Sequence, residues 1–167
     1  MTGPGLHACC CPGAMALDWP LGALLRRFGW SDTEKEHYMG QTITKSAKDI
    51  VRAAREAVPE ISVEEALPLV GGDTHVFVDL RDGTEQAKTG IIPGAVASSR
   101  GMMEFHIDPE SPVHKPAFNQ DKTYVFYCAS GGRSAMAAQV AMEMGLAPVV
   151  NLRGGVGAWT KAGGVLE

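Results

Sequence analysis

The sequence lacks any run of about 18 or more apolar residues, so it predicts no helix that spans a lipid bilayer. It also lacks a basic excess, because 15 Lys and Arg residues stand against 19 Asp and Glu residues, a net charge of −4. Such a chain has no overall electrostatic attraction to nucleic acid or to an anionic membrane, and we expect neither as a partner. The twenty glycines and ten prolines show no period, which excludes a collagen-like repeat.

Cysteine is scarce as well, and its placement excludes a disulfide framework. Three of the four cysteines, Cys9, Cys10 and Cys11, are adjacent, and the fourth, Cys128, stands alone. Adjacent cysteines do not readily pair with one another, and only one of the three can reach Cys128. No second group of ligands with zinc-like spacing accompanies the triplet, so we predict an oxidation-prone tail there and no metal site.

The first part of the chain shows no lasting helix or strand period. We interpret residues 1–40 as a flexible N-terminal extension, or else as an upstream start read in error with the natural start at Met39. The best candidate for a secretory signal, Ala14–Leu25, is interrupted by Asp18 and Pro20 and has no basic segment before it. We therefore expect a cytoplasmic protein.

The rest of the chain alternates between helical and strand-like segments. An N-terminal helix is predicted within residues 41–60, where apolar residues recur at helical spacing over Thr42–Val58, and the pair Ser62 and Glu65 forms a capping box for the next helix. Buried, β-branched runs predict strands at His75–Leu80, Ala95–Ala97, Thr123–Tyr127 and Pro148–Asn151, with helices at Thr84–Lys88, Met102–Phe105, Ser134–Met144 and Val156–Lys161. This alternation predicts an α/β fold with a parallel sheet covered by helices on both faces.

A candidate site lies where strand Thr123–Tyr127 ends. Cys128 follows the strand directly, and a short loop with two glycines, Gly131 and Gly132, leads to a helix that begins near Arg133 or Ser134. Ligands of open α/β sheets bind beyond the carboxyl ends of the strands, which is the position of Cys128.

The residue types in this loop favour a reactive thiolate. Glycines allow successive backbone N–H groups to turn inward and form an anion-binding cradle, and the helix N-terminus adds partial positive charge. Arg133 adds a permanent charge, so Cys128 and Arg133 are the candidate catalytic residues, and the cradle would also hold an anionic substrate. The alternative is that Cys128 is simply a small buried apolar residue at a strand end.

Residues 61–167 resemble a single-domain rhodanese, a sulfurtransferase with a central, mostly parallel sheet of about five strands. Five motifs recur in family order: Ile61–Ala66, Val78–Arg81 with Glu85, Gly90–Ala95, the loop Cys128–Ser134, and Asn151–Trp159. The resemblance implies that Cys128 takes up sulfane sulfur as a persulfide and that the loop binds the donor through Ala129, Ser130, Gly131, Gly132 and Ser134. It implies neither a metal nor an organic cofactor.

A few residues near the predicted site have two interpretations. Asp79 and Arg81 end a strand on the same side of the sheet as Cys128, where they tune the thiolate or, as we favour, brace a loop through an ion pair. Arg100 adds a second positive charge over the site or is a solvated loop residue. The family usually has a histidine where this chain has Ile91, and we expect little effect of that change on the chemistry.

The leading functional hypothesis is transfer of sulfur from thiosulfate or another small anionic donor to cyanide, a thiol or a protein acceptor. The first alternative is a cysteine phosphatase or arsenate reductase on the same fold. Such phosphatases have a loop one residue longer than the four residues between Cys128 and Arg133. The second alternative is a binding module that uses the fold without turnover.

Overall fold

The computed structural model describes residues 43–167, which form a parallel sheet with helices on both faces. Within this part of the chain the sheet has five strands in the order β1-β5-β4-β2-β3, and every neighbouring pair is parallel. The strands are β1 (Glu60–Ile61), β2 (His75–Asp79), β3 (Val96–Ala97), β4 (Thr123–Tyr127) and β5 (Val149–Leu152). The predicted fold class is confirmed.

Helices alternate with these strands. They are α1 (Ala47–Ala57), α2 (Val63–Ala66), α3 (Gly83–Thr89), α4 (Met103–Ile107), α5 (Gly132–Glu143) and α6 (Gly155–Lys161), with 3₁₀ turns at Leu67–Leu69 and Pro116–Phe118. The predicted capping box of Ser62 and Glu65 opens α2, and Asp82 and Glu85 form a second one at α3. Each box satisfies backbone N–H groups that the first helical turn leaves without partners.

The core lies on both faces of the sheet because successive side chains of a strand point to opposite sides. In β2, Val76 and Val78 pack on one face with the alanines of α5, whereas Phe77 packs on the other face near Trp159 of α6. The central strand β4 is buried from Tyr124 onward. Burial on both faces explains its continuous apolar run and fixes the point where the chain leaves the sheet.

The structure differs from the sequence-based prediction at a few element boundaries. Helix α1 begins at Ala47, after the cap Ser46, rather than at Thr42, and α5 begins at Gly132, earlier than expected. Strand β1 was missed because it has only two residues, which carry no readable period; its pairing with β5 defines it. The predictions for residues 1–40, including the three adjacent cysteines, lie outside the described residues.

Within residues 43–167, no helix combines the length and the apolar character needed to cross a membrane.

Candidate active site

The loop after β4 places a cysteine at the carboxyl end of the central strand. β4 ends at Tyr127, Cys128 follows, and α5 begins at Gly132. Gly131 caps the helix with φ 84° and ψ 0°, a left-handed conformation that L residues with a Cβ rarely adopt. A Cβ on Gly131 would also lie 3.1 Å from the nitrogen of Gly154 and 3.2 Å from the carbonyl oxygen of Leu152. The loop therefore requires glycine here.

Hydrogen-bond donors surround the sulfur of Cys128. The hydroxyl of Ser134 lies 3.4 Å from Sγ, and the backbone amides of Ser130, Gly131 and Ser134 face the sulfur. Burial raises the pKa of the Cys128 thiol, but these hydrogen bonds together outweigh burial and hold that pKa below its ordinary value. The cysteine is only 1% exposed, so fixed protein dipoles, rather than water, surround its thiolate form.

The N-terminus of α6 supports the same loop from behind. The amide of Val156 donates to the carbonyl oxygen of Cys128 at 2.9 Å, and the amide of Gly157 donates to that of Ala129 at 3.0 Å. A Cβ on Gly155 would collide with the Cys128 carbonyl oxygen, so this close approach also requires glycine. Gly155 therefore lies directly against the loop that follows Cys128.

Arg133 forms a bidentate ion pair with Glu85 of α3. The guanidinium donates to the two carboxylate oxygens at 2.6 and 2.7 Å, and both side chains are partly exposed. The hydrogen bonds from Arg133 lower the pKa of Glu85, and the same contact raises the pKa of Arg133. The charge that the sequence analysis assigned to the site is thus largely compensated by a neighbouring carboxylate.

Asp79 and Arg81 form a buried ion pair at the end of β2. Arg81 Nη2 lies 2.6 Å from Asp79 Oδ2, and the guanidinium also donates to Thr89 Oγ1 and to the Gly90 carbonyl oxygen, both at 2.7 Å. The hydrogen bond to Asp79 raises the pKa of Arg81. The pair ties β2 to the end of α3, which is a bracing role.

Arg100 forms an ion pair with a residue close to it in the sequence. Its guanidinium lies 2.6 Å from a carboxylate oxygen of Glu104, one helical turn further on, and its amide donates to the Leu80 carbonyl oxygen. At Ile91, the backbone N–H and carbonyl group form two hydrogen bonds with the backbone of Glu167. These contacts are made by the main chain and do not depend on the side chain at this position.

The remaining predicted site residues have distinct surroundings. Ala129 and Ser130 are exposed, whereas Gly131 and Ser134 are buried. Ala129 is also part of a cavity of about 300 Å³ beside the loop. That cavity is lined by Arg81, Glu85, Lys88, Thr89, Ala129, Val156 and Gly157.

Two residues that hold the loop from outside were missed by sequence reasoning. Arg55 of α1 donates to the Ser130 carbonyl oxygen at 3.1 Å, and Asn151 of β5 donates to that of Gly131 at 3.2 Å. Arg55 is one of several basic residues of α1, together with Lys48 and Arg52. No local pattern distinguishes Arg55 from the other basic residues of that helix, because its partner is distant in the sequence.

The chain is similar in sequence and fold to several known proteins. A chain of Rhodopseudomonas palustris, described as a protein of unknown function and a possible tyrosine phosphatase, is 46% identical, with a TM-score of 0.73 over 77% of this chain and 98% of that one. A sulfurtransferase of Allochromatium vinosum is 35% identical over 53% of this chain and 74% of its own length. The thiosulfate sulfurtransferase of Pseudomonas aeruginosa is 26% identical, with a TM-score of 0.57 over 72% of this chain and 22% of that one.

The family comparison covers most of the sheet together with the loop that follows Cys128. The sequence model of the Rhodanese-like domain family matches residues 62–162, a range that includes β2 to β5, the loop at Cys128 and α6. With the match spanning more than half of the chain, this protein belongs to the rhodanese-like domain family.

Proposed function

We propose that Cys128 carries sulfane sulfur as a persulfide between a small anionic donor and a nucleophilic acceptor. The observation that supports it most is the convergence of a hydroxyl and three backbone amides on one buried sulfur. Four donors around a thiol favour its ionised form, and the thiolate is the nucleophile in sulfur transfer.

The proposed reaction has two steps. In the first, the thiolate of Cys128 attacks the outer sulfur of thiosulfate or of a persulfide donor. A bond forms from Sγ to that sulfur, the donor's sulfur–sulfur bond breaks, and its electron pair leaves with sulfite or a thiolate. In the second, cyanide, a thiolate or a protein thiolate attacks the outer sulfur, and the thiolate of Cys128 is released. The covalent intermediate predicts ping-pong kinetics.

The loop would stabilise the charge that develops in both steps. We assign donor binding to the amides of the segment that follows Cys128. We assign the second catalytic role to Arg133 because it is the second residue of α5, directly after this loop. The donor-binding residues are Ala129, Ser130, Gly131, Gly132 and Ser134. In this proposal Asp79, Arg81 and Arg100 brace the surrounding structure, and the chemistry needs neither a metal nor an organic cofactor. We place this activity in the cytoplasm.

A phosphatase is the second candidate, because the Rhodopseudomonas palustris relative is described as a possible tyrosine phosphatase. One feature of this chain favours sulfur transfer instead. Four residues separate Cys128 from Arg133, and this loop is short for a tetrahedral phosphate ester.

The test is a parallel assay of the purified protein and its Cys128→Ser variant. One incubation contains thiosulfate and cyanide, and the other contains an aryl phosphate. Thiocyanate from the wild type and none from the variant is the expected result. Phosphate release without thiocyanate would replace the proposal by a phosphatase, and the absence of both products would replace it by a binding module.

A further inference from the structure

The carbonyl groups of the catalytic loop are held on the side away from the sulfur. Arg55 Nη2 donates to the Ser130 carbonyl oxygen at 3.1 Å, and Asn151 Nδ2 donates to the Gly131 carbonyl oxygen at 3.2 Å. Arg55 belongs to α1 and Asn151 to β5, so two separate elements donate hydrogen bonds to consecutive carbonyl groups of one loop.

Peptide geometry links these outer contacts to the sulfur. In a planar trans peptide, the C=O of one residue and the N–H of the next point in opposite directions. The contact of Arg55 with the Ser130 carbonyl therefore aims the N–H of Gly131 inward, where it faces Cys128. A hydrogen bond to a carbonyl also polarises its peptide group and strengthens the N–H as a donor.

A shared carboxylate positions the two outer donors. Glu60 Oε1 accepts a hydrogen bond from Asn151 Nδ2 at 2.8 Å and lies 3.8 Å from Arg55 Nε. Its other oxygen lies 3.3 Å from Arg153 Nε. Because the side chain of Glu60 is only 15% exposed, the cluster is a partly shielded network rather than a loose surface pair.

We propose that Arg55 is a positioning residue for the chemistry of Cys128: through the Ser130 carbonyl it orients the Gly131 amide that stabilises the thiolate. This inference rests on the proposed function: a role of Arg55 in catalysis requires that Cys128 carries out sulfur transfer. Helix α1 (Ala47–Ala57) lies before the region that the family model matches, so this chain builds part of its active site from outside that region.

Other charged groups also surround the loop, so the test must separate the effect of the Ser130 hydrogen bond from a general effect of charge. The Arg133–Glu85 pair approaches from α5 and α3, the Asp79–Arg81 pair lies at the end of β2, and Lys88 lines the neighbouring cavity. A change of charge at Arg55 acts on Cys128 through space as well as through the Ser130 carbonyl. The control must therefore remove the same charge from the same helix without touching the loop.

Arg52 provides that control. It lies one turn before Arg55 on α1, lines the same surface cavity and pairs with Asp49 at 2.8 Å. Arg52→Ala removes one positive charge and leaves the Ser130 contact in place. Arg55→Lys keeps the charge and can still donate to the carbonyl, but it lacks the planar fork of arginine.

The experiment measures the rate of alkylation of Cys128 by iodoacetamide against pH for the wild type, Arg55→Ala, Arg55→Lys and Arg52→Ala. We expect Arg55→Ala to move the midpoint upward by about half a pH unit, which lowers the thiolate fraction about threefold at pH values below the midpoint. Arg55→Lys should recover part of this shift, and Arg52→Ala should stay close to the wild type. The ¹H–¹⁵N resonance of the Gly131 amide should move in Arg55→Ala as well.

Thermal midpoints of the four proteins separate positioning from folding. If Arg55→Ala melts earlier but keeps the wild-type alkylation midpoint and Gly131 resonance, Arg55 only fastens α1 and the inference is wrong. Equal shifts in Arg55→Ala and Arg52→Ala would also overturn it, because they would show a plain charge effect. Alkylation requires no sulfur transfer, so these results stand apart from the thiocyanate assay that decides the proposed function.

Discussion

The hydroxyl of Ser134 lies 3.4 Å from the sulfur of Cys128 and is fully buried, so water cannot replace it when it is removed. A hydrogen bond to a charged group contributes about 1.5–3 kcal/mol. We therefore predict that Ser134→Ala raises the pKa of Cys128 and slows its alkylation at pH 7 about tenfold. Ser130→Ala is the matched control, since Ser130 faces the sulfur through a backbone amide that the variant keeps. Equal alkylation profiles for the two variants would contradict the assigned role of the hydroxyl.

The two glycines of the loop differ in what they can tolerate. At Gly131 a Cβ would meet a backbone nitrogen at 3.1 Å and would stand at φ 84°, whereas at Gly132 it would meet only the methyl groups of Val51 at 3.6 Å. A left-handed conformation costs a non-glycine residue about 1–2 kcal/mol before any clash. We predict that Gly131→Ala lowers the melting temperature and abolishes most sulfur uptake from thiosulfate, while Gly132→Ala keeps most of it. A fully active Gly131→Ala protein would show that the loop has another conformation.

At the scale of elements, the ion pair between α5 and α3 decides how much positive charge a donor meets. Glu85 compensates Arg133, and glutamine can replace glutamate as the partner of Asp82 in the capping box. We predict that Glu85→Gln speeds the reaction with the thiosulfate dianion about three- to tenfold at low salt, and less at high salt. The rate with neutral iodoacetamide should change far less.

Glu143→Gln, at the far end of α5, is the control for this prediction because it removes the same charge away from the loop. A slower thiosulfate reaction in Glu85→Gln would mean that the carboxylate is needed to hold Arg133 in place.

Elements with strong local signals were predictable, and contacts between distant elements were not. The β4 strand, the glycine loop and the capping box at Ser62 each follow from a few adjacent residues, and the structure confirms these elements. The hydrogen bond from Arg55 to Ser130 joins residues 75 positions apart, and no sequence pattern near Arg55 predicts it. The same holds for Gly155. The sequence shows a glycine there, but it does not show that this glycine packs against the Cys128 carbonyl oxygen.

For the whole molecule, the lowered pKa of Cys128 links stability to pH. The pKa of Cys128 is held below its ordinary value in the folded protein, so between the folded and the unfolded value the unfolded chain binds more protons. The free energy of unfolding should therefore rise with pH in this window, relative to Cys128→Ala, by at most about 1.4 kcal/mol per pH unit. The contribution is complete above the unfolded pKa and is lost as pH falls through the folded one. Denaturant unfolding of both proteins from pH 5 to about 9 checks this, and a difference that falls with pH would contradict it.

The most direct test of the account is the intact mass of the protein after incubation with thiosulfate and removal of the excess. We predict that the wild type gains the mass of one sulfur atom, that a dithiol removes it, and that Cys128→Ser gains nothing. A wild-type protein that keeps its mass, although iodoacetamide still modifies Cys128 at neutral pH, would contradict the claim that this thiolate carries sulfur.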